Sequence, residues 1–165
     1  TILGDKAQTI AGKQQDVLTF LPKIFGKKVK RIVMNKSYRN TSEIAEYAKS
    51  VGGSKDIQYV ARHGKAVERH AIKTLEKTCK EISEKLKLRE EEYETAAILT
   101  MTEKEAEHIQ EIMHKLGAEA HYINRDSAQF KKGLTVTTYY LAKGLEFDQV
   151  FVVGGDRNNK NVKLL

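Results

Sequence analysis

The stretch TAAILTMTEKEAEHIQEIMHKLG, residues 95–117, decides the fold. Its opening letters, TAAILT, form a continuous apolar run that predicts a buried strand. Thr102 and Glu105 then have the spacing of a capping box, so a helix is expected to begin here and to end at Gly117. The helix is predicted to turn these apolar side chains inward: Ala106, Ile109, Met113 and Leu116.

The same alternation of strands and helices extends in both directions along the chain. Further strands are predicted at Lys30–Met34, Ile57–Ala61, Ala118–Ile123, Leu134–Thr138 and Val150–Val153. Further helices are predicted from a cap at Asp16 to Phe25, after a capping box of Asn40 with Glu43, and over about Val67–Tyr93. Apolar strands that alternate with helices indicate an α/β fold, in which a parallel sheet is covered on both faces.

Length and composition exclude several classes of protein. The chain has 165 residues, which suits one domain, and 40% hydrophobic with 31% charged residues is typical of a globular core. No apolar run approaches the roughly 18 residues of a membrane helix, and no signal-peptide pattern is present. Cys79 is the only cysteine, which fits a reducing, cytoplasmic compartment, and the histidines show no metal-binding spacing, so no metal site is predicted.

The net charge of +7 is unevenly distributed. Residues 1–65 carry 13 Lys or Arg against 5 acidic residues, whereas residues 66–118 carry 9 against 12. A basic first third predicts a face that binds a polyanion, and nucleic acid is the leading candidate. A solvated, lysine-rich surface is the alternative.

The chain contains no Gly-x-x-x-x-Gly-Lys-Ser/Thr, so it cannot bind a nucleoside triphosphate through a P-loop of its own. Gly12-Lys13 and Gly64-Lys65 are only partial matches. Neither a serine nucleophile motif nor a Cys–His pair is apparent, and the chain by itself shows no complete active site.

Three segments carry the functional prediction. The first is Gly4–Ile10, GDKAQTI, at the expected end of a strand. The second is Lys36–Ile44, KSYRNTSEI, between a strand and a helix. The third is Leu134–Asp148, LTVTTYYLAKGLEFD, which leads into the last strand. Each segment alone is compatible with an ordinary turn or helix start. Their order along the chain is what supports a functional prediction.

In this order the segments resemble motifs III, IV and V of superfamily 1 helicases, the UvrD/Rep-like translocases. The run Ala142–Asp148, AKGLEFD, is the most specific match. The resemblance implies a three-layer RecA-like fold, similar to that of P-loop NTPases, which would span residues 1–165 as a single C-terminal domain. It also implies the second motor domain of an ATP-dependent DNA helicase or translocase.

The resemblance implies a nucleotide-contacting role for residues of all three segments. Gln8 would sense the terminal phosphate, Arg39 would reach the γ-phosphate as an arginine finger, and Glu146 would lie near the ribose. The implied ATP-contacting residues are Gly4, Asp5, Gln8, Tyr38, Arg39, Gly144 and Glu146, with Gln8 and Arg39 as the catalytic ones. The implied ligand is ATP with Mg²⁺, bound jointly with an N-terminal RecA-like domain of the same chain.

The third segment is also expected to bind nucleic acid, most simply single-stranded DNA. The resemblance implies that Thr138, Tyr140 and Lys143 contact the strand, with Lys143 and backbone amides meeting phosphates. Tyr140 stands where the UvrD-like pattern has a histidine. Ala11-Gly12-Lys13 replaces the aromatic residues that such proteins use for base stacking.

The interval of 107 positions from Arg39 to Glu146 leaves no room for the large subdomain that UvrD and Rep insert there. The pattern is more similar to that of HelD-type relatives of Gram-positive bacteria, which implies an ATP-driven protein that acts on DNA or on RNA polymerase. The resemblance places the P-loop and Walker B segments upstream and motif VI downstream, so this chain alone is expected to be inactive. A remodelling factor of RNA polymerase and a non-enzymatic α/β nucleic-acid-binding module remain as alternatives.

Overall fold

The computed structural model describes residues 17–26, 32–34, 36–51, 58–71, 74–88, 93–125, 127 and 131–154. The chain divides into two compact units. The first comprises Thr1–Arg69 with Asn159–Leu165, and the second comprises His70–Asn158.

The first unit contains short helices and short strands in its described residues. In chain order these are α1 (Val17–Phe25), β1 (Lys36–Ser37), α2 (Ser42–Ser50) and β2 (Gln58–Tyr59). β1 and β2 pair in parallel, with Lys36 opposite Gln58 and Ser37 opposite Tyr59. The helix predicted to end at Phe25 is present as α1. Its predicted cap, Asp16, lies outside the described residues.

The predicted capping box of Asn40 with Glu43 is wrong by one position. Thr41 caps α2, and its hydroxyl accepts a hydrogen bond from the backbone N–H of Ile44 at 3.4 Å. Glu43 lies in the first turn of the helix, and its carboxylate binds a different segment of the same unit. Because Asn and Thr are both good capping residues, their order in the sequence did not distinguish them.

The predicted strand Lys30–Met34 is also wrong in its described part. Ile32, Val33 and Met34 have no regular structure, and all of them are exposed. An apolar run forms a strand only where a neighbouring strand satisfies its backbone N–H and C=O groups. In this unit the described pairing occurs at Lys36–Ser37 instead.

The second unit is built on a parallel sheet of four strands with the order β4-β5-β3-β6. The strands are β3 (Thr95–Thr100), β4 (Ala120–Tyr122), β5 (Gly133–Thr138) and β6 (Gln149–Val152). Two helices of the same unit are α3 (Leu75–Lys87) and α4 (Glu103–Lys115). The strands predicted in this unit are confirmed to within two residues at each end, and the α/β fold class with a parallel sheet is confirmed.

The core lies between one face of this sheet and the helices. Ile98 and Val136 are opposite one another on β3 and β5 and are fully buried against α4, which packs beside α3. Ala97, Thr135 and Thr137 face the other way and are fully buried too, so both faces of the central strands are covered. This double burial explains why β3 is apolar without alternation, whereas β5 places Thr135 and Thr137 on the second buried face.

Helix α4 begins with the predicted capping box. The Thr102 hydroxyl accepts from the Glu105 N–H at 3.2 Å, and the Glu105 carboxylate accepts from the Thr102 N–H at 3.1 Å. Ala106, Ile109 and Met113 are fully buried, as predicted. Leu116, predicted to point inward, is 36% exposed, because the helix ends at Lys115 and Leu116 has already left helical geometry.

Helix α3 is shorter than the predicted helix over Val67–Tyr93. It begins at Leu75, where the Thr74 hydroxyl accepts from the Lys77 N–H at 3.3 Å. Residues 67–71 are exposed and have no regular structure. The cap at Thr74 therefore sets the start that helical periodicity alone placed too early. Among the described residues, no helix has the length and apolar character needed to cross a membrane.

Candidate functional site

The turn Tyr38–Thr41, called the Arg39 turn below, connects β1 to α2 in the first unit. On its amino side, the Ser37 carbonyl accepts a hydrogen bond from the Val60 N–H at 3.2 Å. Its carboxyl side is the Thr41 cap, which has extended backbone geometry. Tyr38 is 68% exposed and Arg39 is exposed, so both side chains lie on the surface at the amino end of α2.

The amino end of a helix favours negative charge because the helix dipole is positive there. In α2 the first N–H groups are already paired, since Ser42 donates to the Arg62 carbonyl and Ile44 to the Thr41 hydroxyl. A guanidinium carried one position before the Asn40–Thr41 cap adds a permanent positive charge with planar donors. The Arg39 turn therefore has the chemical character of a phosphate-contacting segment.

The carboxylate of Glu43 ties a second segment of the same unit to this helix end. Glu43 Oε1 lies 3.0 Å from His63 Nδ1, and Glu43 Oε2 accepts from the Gly64 N–H at 2.9 Å. The Ser42 N–H donates to the Arg62 carbonyl at 2.8 Å. We call the group Glu43, His63 and Gly64 the Glu43 clamp.

Hydrogen bonding in this clamp stabilises the ionised form of Glu43. The contact with His63 is the largest cause, and backbone N–H groups of Glu43 and Gly64 add to it, so that the pKa of Glu43 falls from 4.5 to about 2. The Gly64 backbone also lies close to the Thr41 side chain: a Cβ placed on Gly64 would lie 2.7 Å from Thr41 Cγ2. Glycine is needed at position 64 because of this approach.

In the second unit, the residues after β5 form a tight turn at the carboxyl edge of the sheet. The Tyr139 N–H donates to the Thr100 carbonyl at the end of β3, at 3.1 Å. The Thr138 carbonyl accepts from the N–H groups of Leu141 and Ala142 at 3.1 and 3.0 Å. Carboxyl ends of parallel strands are where open α/β sheets bind ligands.

Two tyrosines stack on one another in this turn. The ring centroids of Tyr139 and Tyr140 are 4.1 Å apart with an interplanar angle of 30°. Burial, together with a side-chain hydrogen bond with Tyr140, raises the pKa of Tyr139 to about 12. Tyr140 is 47% exposed. An inner ring that is held in place thus supports an outer ring that solvent can reach.

The run after the tyrosines returns toward the amino edge of the sheet. Ala142 is buried, and its carbonyl accepts from the Leu145 N–H at 2.9 Å, while Lys143 and Glu146 are exposed. Gly144 has φ +92°, a conformation that favours glycine, although a Cβ there would meet no neighbouring atom. The glycine in this run is required by its backbone geometry rather than by crowding.

Asp148 fastens this run to β3. Its Oδ2 accepts from the backbone N–H groups of Glu94 and Thr95 at 3.1 and 2.9 Å, and from the Thr95 hydroxyl at 2.8 Å. We call the group Asp148, Glu94 and Thr95 the Asp148 clamp. It lies at the amino end of β3, so Thr138 and Asp148 belong to opposite edges of the sheet, about 17 Å apart at the rise of an extended strand.

The predicted site residues fall into three groups. Tyr38 and Arg39 lie in the first unit, and Thr138, Tyr140, Lys143, Gly144 and Glu146 lie in the second. Gly4, Asp5 and Gln8 lie outside the described residues. Within the second unit the structure brings Thr138 and Tyr140 into one turn, while Glu146 lies two residues from the Asp148 clamp at the other edge.

Sequence reasoning missed the two carboxylates that hold these segments. The sequence pattern predicts a capping-box role for Glu43 and indicates no separate role for Asp148, the last residue of its motif. The available signal was Gly64, which stood out as part of an incomplete P-loop pattern and is instead a position of close backbone approach. No group of three or more His, Cys, Asp or Glu side chains suited to a metal ion occurs in the described part of the chain.

Comparison with known proteins gives a similarity at the level of solved structures. No protein-family model matches the chain, and no curated protein sequence does so either. Among solved structures, the chain is similar to the C-terminal domain of a possible DNA helicase from Lactobacillus plantarum WCFS1. The two share 27% sequence identity with a TM-score of 0.58, over 70% of this chain and 67% of that one. This similarity agrees with the α/β fold of the described residues.

Proposed function

We propose that this chain is the second motor domain of an ATP-dependent DNA helicase or translocase. The observation that carries the proposal is the structural similarity to the C-terminal domain of a possible DNA helicase. The order of the three motif-like segments and the exposed Arg39 at the amino end of α2 support it independently. The finer likeness to UvrD/Rep-like and HelD-type proteins belongs to the same proposal.

Arg39 supplies the chemistry of the ATP side. In phosphoryl transfer the developing charge spreads over the γ-phosphate oxygens, and a planar, permanently charged guanidinium stabilises it. The turn that carries Arg39 lies at the amino end of α2, where the helix dipole is positive. An N-terminal RecA-like domain and further residues of this chain complete the proposed contacts to ATP and its Mg²⁺. The residues of this chain are Gly4, Asp5, Gln8, Tyr38, Gly144 and Glu146.

The turn after β5 supplies the grip on the nucleic acid. Tyr140 offers a half-exposed ring, Lys143 an exposed ammonium group, and Thr138 anchors the turn at the sheet edge. A base stacks on an aromatic face and a phosphate pairs with lysine, so this combination suits a single strand of DNA.

These parts combine into a cycle of the kind that motor domains use. ATP draws the two RecA-like domains together, and Arg39 reaches the γ-phosphate in the closed state. Hydrolysis and product release reopen the cleft, and alternating grip by the two domains moves the protein along the strand.

The test is ATP hydrolysis by the full-length protein with and without single-stranded DNA, beside the Arg39→Ala variant. We expect DNA to stimulate hydrolysis and the variant to lower kcat by about 10³- to 10⁵-fold with little change in ATP binding, the range typical of arginine fingers. Arg39→Lys should not restore the rate, since lysine lacks the planar fork. Arg69→Ala removes an equal charge at another exposed position of the first unit and serves as the control.

Other results would redirect the proposal. If Arg39→Ala abolished ATP binding but left turnover per bound ATP normal, the finger role would be wrong. Hydrolysis that is indifferent to DNA would favour the alternative of an ATPase that remodels RNA polymerase. A protein that hydrolyses no ATP would favour a non-enzymatic nucleic-acid-binding module.

A further inference from the structure

The position of Arg39 is fixed by the segments on each side of its turn. On one side is β1, which pairs with β2 over only two residues. On the other side is α2, a helix of 9 residues in which only Ala45 is buried. Within the described residues neither element packs into a large core, so other contacts contribute to the geometry of the turn.

The segment after β2 supplies such contacts. It runs past the amino end of α2, where the Arg62 carbonyl accepts from Ser42 and the backbone of Gly64 donates to Glu43. The His63 ring meets the other oxygen of the same carboxylate at 3.0 Å. Contacts from three consecutive residues thus converge on the first turn of α2, directly after the Arg39 turn.

The backbone of Gly64 also fits tightly against the side chain of Thr41. Gly64 lies so close to Thr41, the cap of α2, that no larger residue fits without displacement, since a Cβ would sit 2.7 Å from the Thr41 methyl group. Displacing the Thr41 side chain would disturb the hydroxyl that caps α2 at the carboxyl end of the Arg39 turn. The segment 62–64 therefore braces the cap and the first helical turn together.

We propose that Glu43 is a positioning residue: through His63 and Gly64 it fixes the Arg39 turn in the geometry that places the guanidinium on the γ-phosphate. This inference rests on the proposed function of Arg39 and adds the residues that set its geometry. Glu43 itself touches no substrate. Misplacing a catalytic group by about 1 Å costs on the order of 10²-fold in rate, so a loosened turn lowers kcat without abolishing ATP binding.

The experiment measures kcat and KM for ATP in the full-length protein for several variants. Glu43→Ala removes the clamp and should lower kcat by roughly 10- to 100-fold at nearly unchanged KM. Glu43→Gln keeps an oxygen for the Gly64 N–H and should recover much of the loss. His63→Ala keeps the charge of Glu43 on the helix but removes one of its contacts. An intermediate loss of kcat in this variant would show that the contact matters, and not only the interaction of the Glu43 charge with the helix dipole.

Two controls define the background. Glu46→Ala removes an exposed carboxylate from the same helix outside the clamp and should leave kcat unchanged. The double variant Arg39→Ala with Glu43→Ala should be no slower than Arg39→Ala alone, because a residue that acts through Arg39 has nothing left to position.

Hydrogen exchange provides a readout that does not depend on ATP. In Glu43→Ala, backbone amides of residues 37–44 and 60–65 should exchange faster, while those of β3 and β5 should be unchanged. Unchanged exchange in the first two segments would overturn the inference, whatever the role of Arg39. Faster exchange with normal kcat, in a protein where Arg39→Ala is inactive, would overturn it too. If Arg39→Ala were fully active, the proposed function of Arg39 would be wrong. Faster exchange in Glu43→Ala would then still show that the Glu43 clamp holds the turn, and unchanged exchange would show that it does not.

Discussion

Two of the three motif-bearing segments lie in the described residues, and each is held by one carboxylate in very different surroundings. Glu43 holds the Arg39 turn of the first unit through a ring nitrogen and one backbone N–H. Asp148 holds the run after β5 in the second unit through two backbone N–H groups and a hydroxyl, all of which converge on one oxygen. In both cases a short acidic side chain fastens a loop to a neighbouring segment.

The difference lies in what surrounds each clamp. The Asp148 clamp grips β3, a central strand whose Ile98 is fully buried in the main core. The Glu43 clamp binds a segment without regular structure to the start of a helix that buries a single residue. We infer that breaking the Asp148 clamp costs stability of the whole unit, whereas breaking the Glu43 clamp loosens one turn and spares the fold.

The largest effect on stability is expected for Asp148→Ala. The substitution leaves the N–H groups of Glu94 and Thr95 and the Thr95 hydroxyl without this acceptor, and hydrogen bonds to a charged group are among the stronger ones. We expect the free energy of unfolding to fall by ~2 kcal/mol. Urea denaturation followed by circular dichroism measures it.

The comparison supplies the controls for this prediction. Glu119→Ala, which removes an exposed carboxylate between α4 and β4, should leave the urea midpoint unchanged. Glu43→Ala should shift the midpoint far less than Asp148→Ala does. Equal shifts for the two would show that both clamps belong to the global fold and would remove the contrast between them.

A smaller effect is expected for substitution of Tyr140, and it concerns DNA binding by the second unit rather than its stability. Tyr140→Ala removes the exposed ring of the stacked pair and should weaken binding of single-stranded DNA about five-fold, the low end of the range for one base–aromatic contact. Fluorescence anisotropy with a labelled oligonucleotide gives the Kd. Tyr140→Phe keeps the stacking face and should bind like wild type.

Salt dependence separates stacking from charge at this turn. Tyr140→Ala changes no charge, so the slope of log K against log salt should remain that of wild type. Lys143→Ala should reduce the slope by about 1, as expected for one lost phosphate contact, whereas the control Lys115→Ala should not. A steep change in slope for Tyr140→Ala would mean that its ring positions Lys143 instead of binding a base.

The sequence predicted the second unit better than the first for a physical reason. The apolar run of β3 and the capping box of Thr102 with Glu105 are local signals that the packed core reinforces. In the first unit the apolar pattern predicts a strand at Lys30–Met34, whereas the described pairing occurs at Lys36–Ser37. The sequence does not show which segment finds a partner strand. Likewise, helical periodicity extended α3 past the Thr74 cap.

The candidate site was predictable only where its residues form contiguous motifs. Arg39 and Tyr140 stand inside recognisable runs, so their places at a helix start and a sheet edge could be expected. The contact of Glu43 with Gly64 joins residues 21 positions apart, and that of Asp148 with Thr95 joins residues 53 apart. Such pairings depend on the folded backbone, and no local pattern reveals them.

The smallest expected effect concerns the ionisation of Glu43, and it tests the first clamp alone. The pKa of Glu43 is lowered from 4.5 to about 2, first by His63 and then by backbone N–H groups. A lowered pKa means that the clamp stabilises the turn above about pH 4.5, and that this contribution is lost as the pH falls toward about 2. In His63→Ala the pKa of Glu43 should therefore rise toward 4.5, and the turn should loosen at a higher pH than in wild type. NMR titration of the side-chain carboxyl carbon of Glu43 measures the pKa. A Glu43 pKa that stays near 2 in His63→Ala would assign the shift to the backbone N–H groups, and the first clamp would then resemble the Asp148 clamp, which is built on backbone donors.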